Sequence, residues 1–377
     1  MKNILITGGA GFIGSNLALK LNDLGYKVTV LDHLSPQIHG LNDEDSVLYQ
    51  SISGKVIFIK GDVTNRKEVE KALHGQDAVI HLAAETGTGQ SMYSIEKYSQ
   101  VNISGTALLL DVLVNQKHTV KKFILASSRA VYGEGKYINA RSEAVYPKSR
   151  SVAFMKQGYF QMLDDNGQPL EPVATDEDSK LHPTSFYGLT KLQQEQMVKL
   201  VCESIGLAYV ILRYQNVYGA GQSLRNPYTG ILSIFSTQIL NGNSLNIFED
   251  GLMTRDFIHI KDTVEATVKC LEMETANNAI LNIGTGIATP VLSVAKLLMA
   301  AYQKNVPMEV SGDFRIGDIR HHFADLTKMN TLLNVQPKVN LDEGIPEFAN
   351  WVLEQPPAEN NLLQSLQEMK EKGFLKT

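Results

Sequence analysis

Tyr187 and Lys191 stand four residues apart, and Ser127 and Ser128 close an apolar run that begins at Lys122. On one helix, side chains at that spacing project from the same face. A tyrosine is a poor base at neutral pH because its ordinary pKa is near ~10. An ammonium beside it stabilises the phenolate and makes proton exchange with a bound hydroxyl accessible. A Tyr-x-x-x-Lys pair alone is common and is most often an ordinary surface helix. The serine hydroxyls distinguish this pair, because they end a strand, and ligands of open α/β sheets bind at the carboxyl ends of strands.

A second constellation lies at the start of the chain. Residues 7–14 read Thr-Gly-Gly-Ala-Gly-Phe-Ile-Gly. Gly8, Gly11 and Gly14 follow a short apolar run and open a helical pattern. Such a turn lets the backbone approach a pyrophosphate, and the helix N-terminus offers its unpaired N–H groups to the phosphates. The next apolar run ends in Asp32. An acid at that place accepts from both ribose hydroxyls and repels a 2′-phosphate, which favours NAD over NADP. Asp62-Val63 and Leu82-Ala83-Ala84 close two further runs. There an acid could reach an adenine amine, and small residues could let a cofactor lie along the backbone.

Positioning these groups requires a sheet. Apolar runs at 2–7, 26–31, 56–59, 78–82, 122–126 and 208–213 alternate with helical patterns at 12–24, 65–74, 93–116 and 186–205. Strands alternating with helices imply βαβ units and a parallel sheet. The expected fold is α/β, a Rossmann-type doubly wound parallel sheet with a smaller mixed α/β lobe. The divisions are a dinucleotide-binding domain over 1–213, a mainly substrate-binding lobe over 214–355 with 255–275 returning to the first domain, and a polar tail from 356. The tail carries one amphipathic stretch, Leu362, Leu363, Leu366 and Met369.

Composition supports a globular chain. Of 377 residues, 43% are hydrophobic and 20% charged, which excludes disordered and fibrous classes. A net charge of −5 gives no basic field for nucleic acid. No apolar run approaches membrane-spanning length. Two cysteines are too few for a disulfide framework or a thiolate zinc site. With the apolar N-terminal run stopped at once by Gly8-Gly9, the expected location is cytoplasmic.

Together, Gly8-x-x-Gly11-x-x-Gly14, Asp32, Asp62-Val63, Ser128-Arg129-Ala130-Val131-Tyr132-Gly133 and Tyr187-x-x-x-Lys191 resemble the extended short-chain dehydrogenase/reductase family, and within it the nucleotide-sugar epimerases and dehydratases. The resemblance runs from residue 1 to about 355. It implies that Ser128, rather than Ser127, is catalytic, that Tyr187 is the acid/base, and that Lys191 holds the nicotinamide ribose. It adds Phe12, Ile13, His33, Thr86, Asn102, Tyr214 and Gln215 to the NAD site. Arg213-Tyr214-Gln215-Asn216 resembles the segment whose asparagine contacts the substrate diphosphate. Ile247-Phe248-Glu249-Asp250-Gly251 resembles the one that closes on the base. Arg255-Asp256-Phe257 and Arg315-Ile316-Gly317-Asp318 resemble segments that each bring an arginine to the diphosphate. Forked guanidinium donors suit a doubly charged pyrophosphate. Thr88, Arg129 and Asp318 complete the expected substrate contacts.

Dehydratases of the family carry Thr-Asp-Glu where this chain has Ser128-Arg129-Ala130. Without those carboxylates, loss of water across C5 and C6 has no acid/base pair. Ser, Tyr and Lys suffice for transient oxidation at C4, so the expectation is a 4-epimerase with tightly held NAD. The stretches 32–40, 86–93 and 226–232 resemble the branch that interconverts dTDP-L-rhamnose and dTDP-6-deoxy-L-talose. UDP-hexose or UDP-uronate epimerisation, an NAD(P)H-dependent 4-ketosugar reductase and a non-catalytic NAD-binding protein are the rival readings. The stretch 134–183 lengthens the chain between Ser128 and Tyr187. It lacks the cysteines found there in relatives, so no metal is expected, and its order must come from packing. The resemblance also implies a homodimer through the helices near 93–116 and 186–205, whose apolar content fits internal packing equally well.

Overall fold

The computed structural model describes residues 1–42, 46–228, 230–356 and 362–376; Thr229, part of the stretch at 226–232, lies outside the described residues. Strands β1 (Asn3–Thr7), β2 (Lys27–Asp32), β3 (Ile57–Lys60), β4 (Ala78–His81), β5 (Lys122–Ser128), β6 (Ala208–Tyr214) and β7 (Ala279–Ile283) form one sheet in the order β7-β6-β5-β4-β1-β2-β3. Every neighbouring pair is parallel. The connections change direction between β1 and β4, so the crevice for a ligand opens at their carboxyl ends.

Helices α1 (Phe12–Asp23), α2 (Arg66–Leu73), α3 (Gly105–Asn115), α4 (Phe186–Ile205), α5 (Ile231–Leu240), α6 (Ile260–Glu272), α7 (Val291–Tyr302), α8 (Leu341–Leu353) and α9 (Leu362–Glu371) surround this sheet and the lobe. Alternation along the strands feeds two cores. Ile4, Ile6, Val28 and Val30 pack with Leu17 and Leu21 of α1 and Val264, Val268 and Leu271 of α6. Leu5, Val79, Phe123 and Ile211 face the other way, onto Leu109 and Leu113 of α3 and Val198 and Cys202 of α4. A sheet covered on both faces needs near-continuous apolar strands, and these have them.

Two elements differ from the sequence expectation. The pattern at 93–116 is interrupted by a π-helical turn, Ser99–Ser104, ahead of α3. Strand β7 was not anticipated, because its short run follows the lobe's mixed pattern. It returns the chain to the sheet beyond 275, and Met329 and Leu333 join the same core. The lobe has its own core, with Phe235 and Ile239 of α5 packed with Leu298 of α7 and Phe348 of α8.

The stretch 134–183 is folded. Strands at 137–138, 144–145 and 171–172 pair antiparallel. Tyr137, Met162 and Leu170 make one small core, and Met155 and Phe160 another around Phe314 of the lobe. Arg150 ties it to the lobe, donating to Glu249 at 2.7 Å and the Asp318 carbonyl at 3.1 Å, and bonds Glu134 at the start of the stretch at 3.1 Å. Among the described residues no helix is long and apolar enough to cross a membrane.

Candidate active site

A cavity of about 830 Å³ runs along the carboxyl edge of the sheet and into the lobe. Its floor is the turn after β1, lined by Gly8, Gly11, Phe12, Ile13 and Gly14. Gly8 has φ +70°, and a Cβ there would come within 2.6 Å of the Ala83 nitrogen. Only glycine lets the β1 and β4 ends close together, which leaves a shallow backbone cradle at the head of α1. Asp32 sits beside it with its carboxylate accepting from Ala10 N (3.0 Å) and Leu34 N (2.9 Å). His33, Asp62, Val63, Leu82, Ala83, Ala84 and Thr86 continue the wall. These features fit the adenosine and pyrophosphate of a dinucleotide. Asp32→Ala should lower NAD affinity and narrow its margin over NADP. Titrating both cofactors into the protein checks this, and equal affinities in the wild type would refute the assignment.

Asn102 departs from the expectation. It is fully buried behind the wall and does not line the cavity. Its amide accepts from Glu85 N at 2.8 Å and donates to Glu85 O at 3.1 Å and Thr190 Oγ1 at 3.0 Å. The π-helical turn aims it at the chain after β4, so it shapes the Ala84–Thr86 wall from the rear. Tyr214 does line the cavity, while its hydroxyl is held by Thr267 at 2.8 Å.

Ser128, Tyr187 and Lys191 converge on the cavity. Helix α4 starts at a cap in which Ser185 Oγ accepts from Gly188 N. Gly188 lets it cross the turn 129–132 closely, since a Cβ would meet the Ala130 oxygen at 2.5 Å. That crossing puts Tyr187 against Ser128. The two serines separate cleanly: Ser127 is buried and donates to Glu195, which also binds Arg213 at 2.8 and 3.0 Å. Ser128 lines the cavity and accepts from Ala130 N at 3.2 Å. Burial raises the Tyr187 phenol, while its hydrogen bond with Ser128 and the charge of Arg129 act against the rise. Lys191 is buried, donates to Ala126 O at 2.8 Å and lies 6.0 Å from the Tyr187 ring centre.

Burial pushes the Lys191 ammonium down to about 7, with Glu195 opposing. Its folded pKa is therefore below the unfolded value. The unfolded chain holds the extra proton above pH ~7, so this group makes stability rise with pH from about 7 towards its ordinary value. The stability of the wild type relative to Lys191→Met should increase over that window in urea unfolding. A difference independent of pH would show that Lys191 stays charged in the fold.

The lobe supplies the other wall. Asn216, Phe248, Arg255, Arg315 and Asp318 line it, with Thr88, Arg129 and Gln215 at its junction with the sheet. Arg315 lies 5.0 Å above the Phe248 ring, donates to Asp318 Oδ2 at 2.9 Å, and leaves its Nε buried without a partner. Arg255 is committed otherwise. It donates to the carbonyls of Thr254, Arg320 and Ile319 and to Asp318 Oδ1 at 3.0 Å. Burial alone would raise the Asp318 carboxyl, but Arg315, Arg255 and Arg129 hold it well below the usual carboxylate range. Asn216 Oδ1 is likewise buried and unpartnered.

The sequence reading missed Gln222 and Ser223, which line the cavity with Oε1 and Oγ unpartnered. The only signal was their place just after Tyr218-Gly219. It also left Leu362, Leu363, Leu366 and Met369 unassigned, although α9 forms part of the wall.

The model of the NAD dependent epimerase/dehydratase family matches residues 4–284. A dTDP-L-rhamnose 4-epimerase of Burkholderia thailandensis is 37% identical over 95% of this chain and 97% of its own. A UDP-glucose 4-epimerase of Bacillus subtilis is 31% identical over 92% of this chain and 96% of its own. Among solved structures, the UDP-glucuronic acid 4-epimerase of Bacillus cereus with UDP-glucuronic acid and NAD superposes with a TM-score of 0.76 at 28% identity, covering 93% of this chain and 99% of that one.

Proposed function

Because the chain belongs to the NAD dependent epimerase/dehydratase family, we propose that it is an NAD-dependent nucleotide-sugar 4-epimerase whose substrate pair is dTDP-L-rhamnose and dTDP-6-deoxy-L-talose. The observation that carries the reaction class is the placement of Ser128, Tyr187 and Lys191 between the glycine cradle and the arginine-bearing wall. Bound along the cradle, NAD supplies reversible hydride exchange at a carbinol carbon. Tyr187 takes the proton from the sugar O4 and returns it. Ser128 orients that hydroxyl through the hydrogen bond it shares with Tyr187. Lys191, buried 6.0 Å from the ring centre, would hold the nicotinamide ribose and stabilise the phenolate by its charge. Arg129 is the charge facing Tyr187; the carboxylate pair that a dehydratase needs is not at Ser128-Arg129-Ala130. Arg315 and Asn216 hold the diphosphate while the sugar ring presents its other face.

The sugar assignment is supported by the 37% identity to the dTDP-L-rhamnose 4-epimerase and by the stretches at 32–40 and 86–93. A second reading, a UDP-uronate, rests on Arg129, which lines the cavity beside Tyr187. Its guanidinium would suit a C6 carboxylate. The test is incubation with a panel of dTDP- and UDP-sugars and no added cofactor. Formation of dTDP-6-deoxy-L-talose from dTDP-L-rhamnose supports the proposal, turnover of UDP-glucuronate alone supports the second reading, and one-way consumption of added NADH would replace both with a reductase.

The proposal includes a homodimer through α3 and α4, where Val114 (50% exposed) and Leu200 (68% exposed) present apolar side chains to solvent. Light scattering that returns a monomer mass would remove it.

A further inference from the structure

We propose that the C-terminal strap, residues 362–376, is part of the nucleotide-sugar site and is required to bind the nucleoside diphosphate, while contributing nothing to NAD binding. The inference rests on the nucleotide-sugar reading above and extends it to a segment beyond the residues matched by the family.

Three attachments place the strap. Its last residues form a strand at 375–376 that pairs antiparallel with Phe314–Arg315, with Arg315 opposite Leu375. Ile316 N donates to Phe374 O at 2.9 Å. The backbone that carries Arg315 is therefore held on one edge by the strap. Further back, Glu368 accepts from Tyr228 Oη at 2.7 Å and Tyr93 Oη at 3.3 Å. These tyrosines come from two of the three stretches, 86–93 and 226–232, whose residues resemble the dTDP-sugar branch. Tyr93 is also flanked by the Phe374 ring, 6.1 Å centre to centre, and by Lys372 Nζ at 5.1 Å. Finally, Met369 is buried against Gly89, where a Cβ would come within 3.0 Å of its sulfur.

What the strap shows the cavity is carbon. Leu362, Leu363, Leu366 and Met369 line it, while Glu368 is occupied with the two tyrosines. At helical spacing Leu362, Leu366 and Met369 fall on one face, Gln364 lies opposite, and Leu363 sits at the edge beside Gln367 and Lys370. Met369 is already buried, but the part of the apolar face that meets the ligand cavity, rather than a closed core, gains its burial only when something fills the space opposite. The three attachments described go to the Arg315 strand, to Tyr93 and Tyr228 and to Gly89, and none of them to the glycine cradle or Asp32. The segment therefore acts on the sugar nucleotide, by fixing the Arg315 strand and by walling the space in front of the 86–93 loop.

Two variants test this. One ends the chain at Pro356; the other is Glu368→Ala, which frees both tyrosines but leaves the strap present. Bound NAD is read from its absorbance in the purified protein, and the dissociation constants of TDP and UDP by calorimetry, so no step depends on turnover. For whichever diphosphate the full chain prefers, we expect the shortened chain to bind roughly tenfold or more weakly, with Glu368→Ala weakened in the same direction and NAD content unchanged in both. Unaltered diphosphate affinity in Glu368→Ala and in a folded shortened chain would overturn the proposal, and so would loss of NAD in parallel with the diphosphate. Should the shortened chain not fold, Glu368→Ala decides alone. Failure of the full chain to bind either diphosphate is a separate result, and it would overturn the nucleotide-sugar reading itself.

Discussion

Replacing Tyr187 with phenylalanine is expected to reduce turnover by at least ~10²–10⁴-fold, the usual contribution of a positioned acid/base, with NAD and nucleotide sugar still bound. The geometry makes this a clean substitution. The ring packs edge-on to Tyr98, with centres 6.5 Å apart, and phenylalanine keeps that contact. The backbone N–H of Tyr187 stays bonded to Ser91 Oγ at 3.0 Å. Only the hydroxyl and its link to Ser128 are lost. Because burial raises this phenol while Ser128 and Arg129 pull it back, Arg129→Gln should move the ascending limb of the rate profile, which follows phenolate formation, to higher pH. A Tyr187→Phe protein with wild-type kcat would remove the residue from the mechanism.

Arg315→Ala should raise the KM for the sugar nucleotide by roughly ten- to a hundredfold, since a charge-assisted hydrogen bond contributes ~1.5–3 kcal/mol. Its guanidinium is partly exposed to the cavity, stacked over Phe248, with one N–H free to donate. NAD content and melting temperature should not move. Arg255→Ala is expected to behave differently, although sequence pairs the two arginines in one role. Its donors hold the carbonyls of Thr254, Ile319 and Arg320, and leaving those buried acceptors unmet costs stability as well as affinity. A lowered melting temperature for Arg255→Ala alone separates a residue that builds the wall from one that meets the ligand. An unchanged KM in Arg315→Ala would put the diphosphate elsewhere.

The sheet was legible in the sequence because its strands are buried on both faces, so each is a short continuous apolar run with a small or polar residue at its carboxyl end. Thr7, Asp32 and Ser128 mark those ends, and the first six strands fall within one or two residues of the expected spans. Helix α4 matched 186–205 for the same local reasons, a serine cap and a closing glycine. Strand β7 escaped notice because nothing local separates Ala279–Ile283 from the lobe around it; it is a strand by virtue of pairing with β6.

The sequence alone, through its motifs and their resemblance to the family, nominated the residues proposed to carry the chemistry: the glycine turn, Asp32, Ser128, Tyr187 and Lys191. Tertiary structure decided what no local spacing encodes, namely which groups face the cavity and which serve those that do. Asn102 became a brace for the Glu85 backbone, Ser127 a partner of Glu195, Arg255 a clamp on the 319–320 turn, and the tail's leucines a wall of the site. Each of those outcomes depends on a partner tens to hundreds of residues away. A side chain's role is set by the donor or acceptor that burial brings to it, and burial is a property of the packed chain rather than of any segment of it.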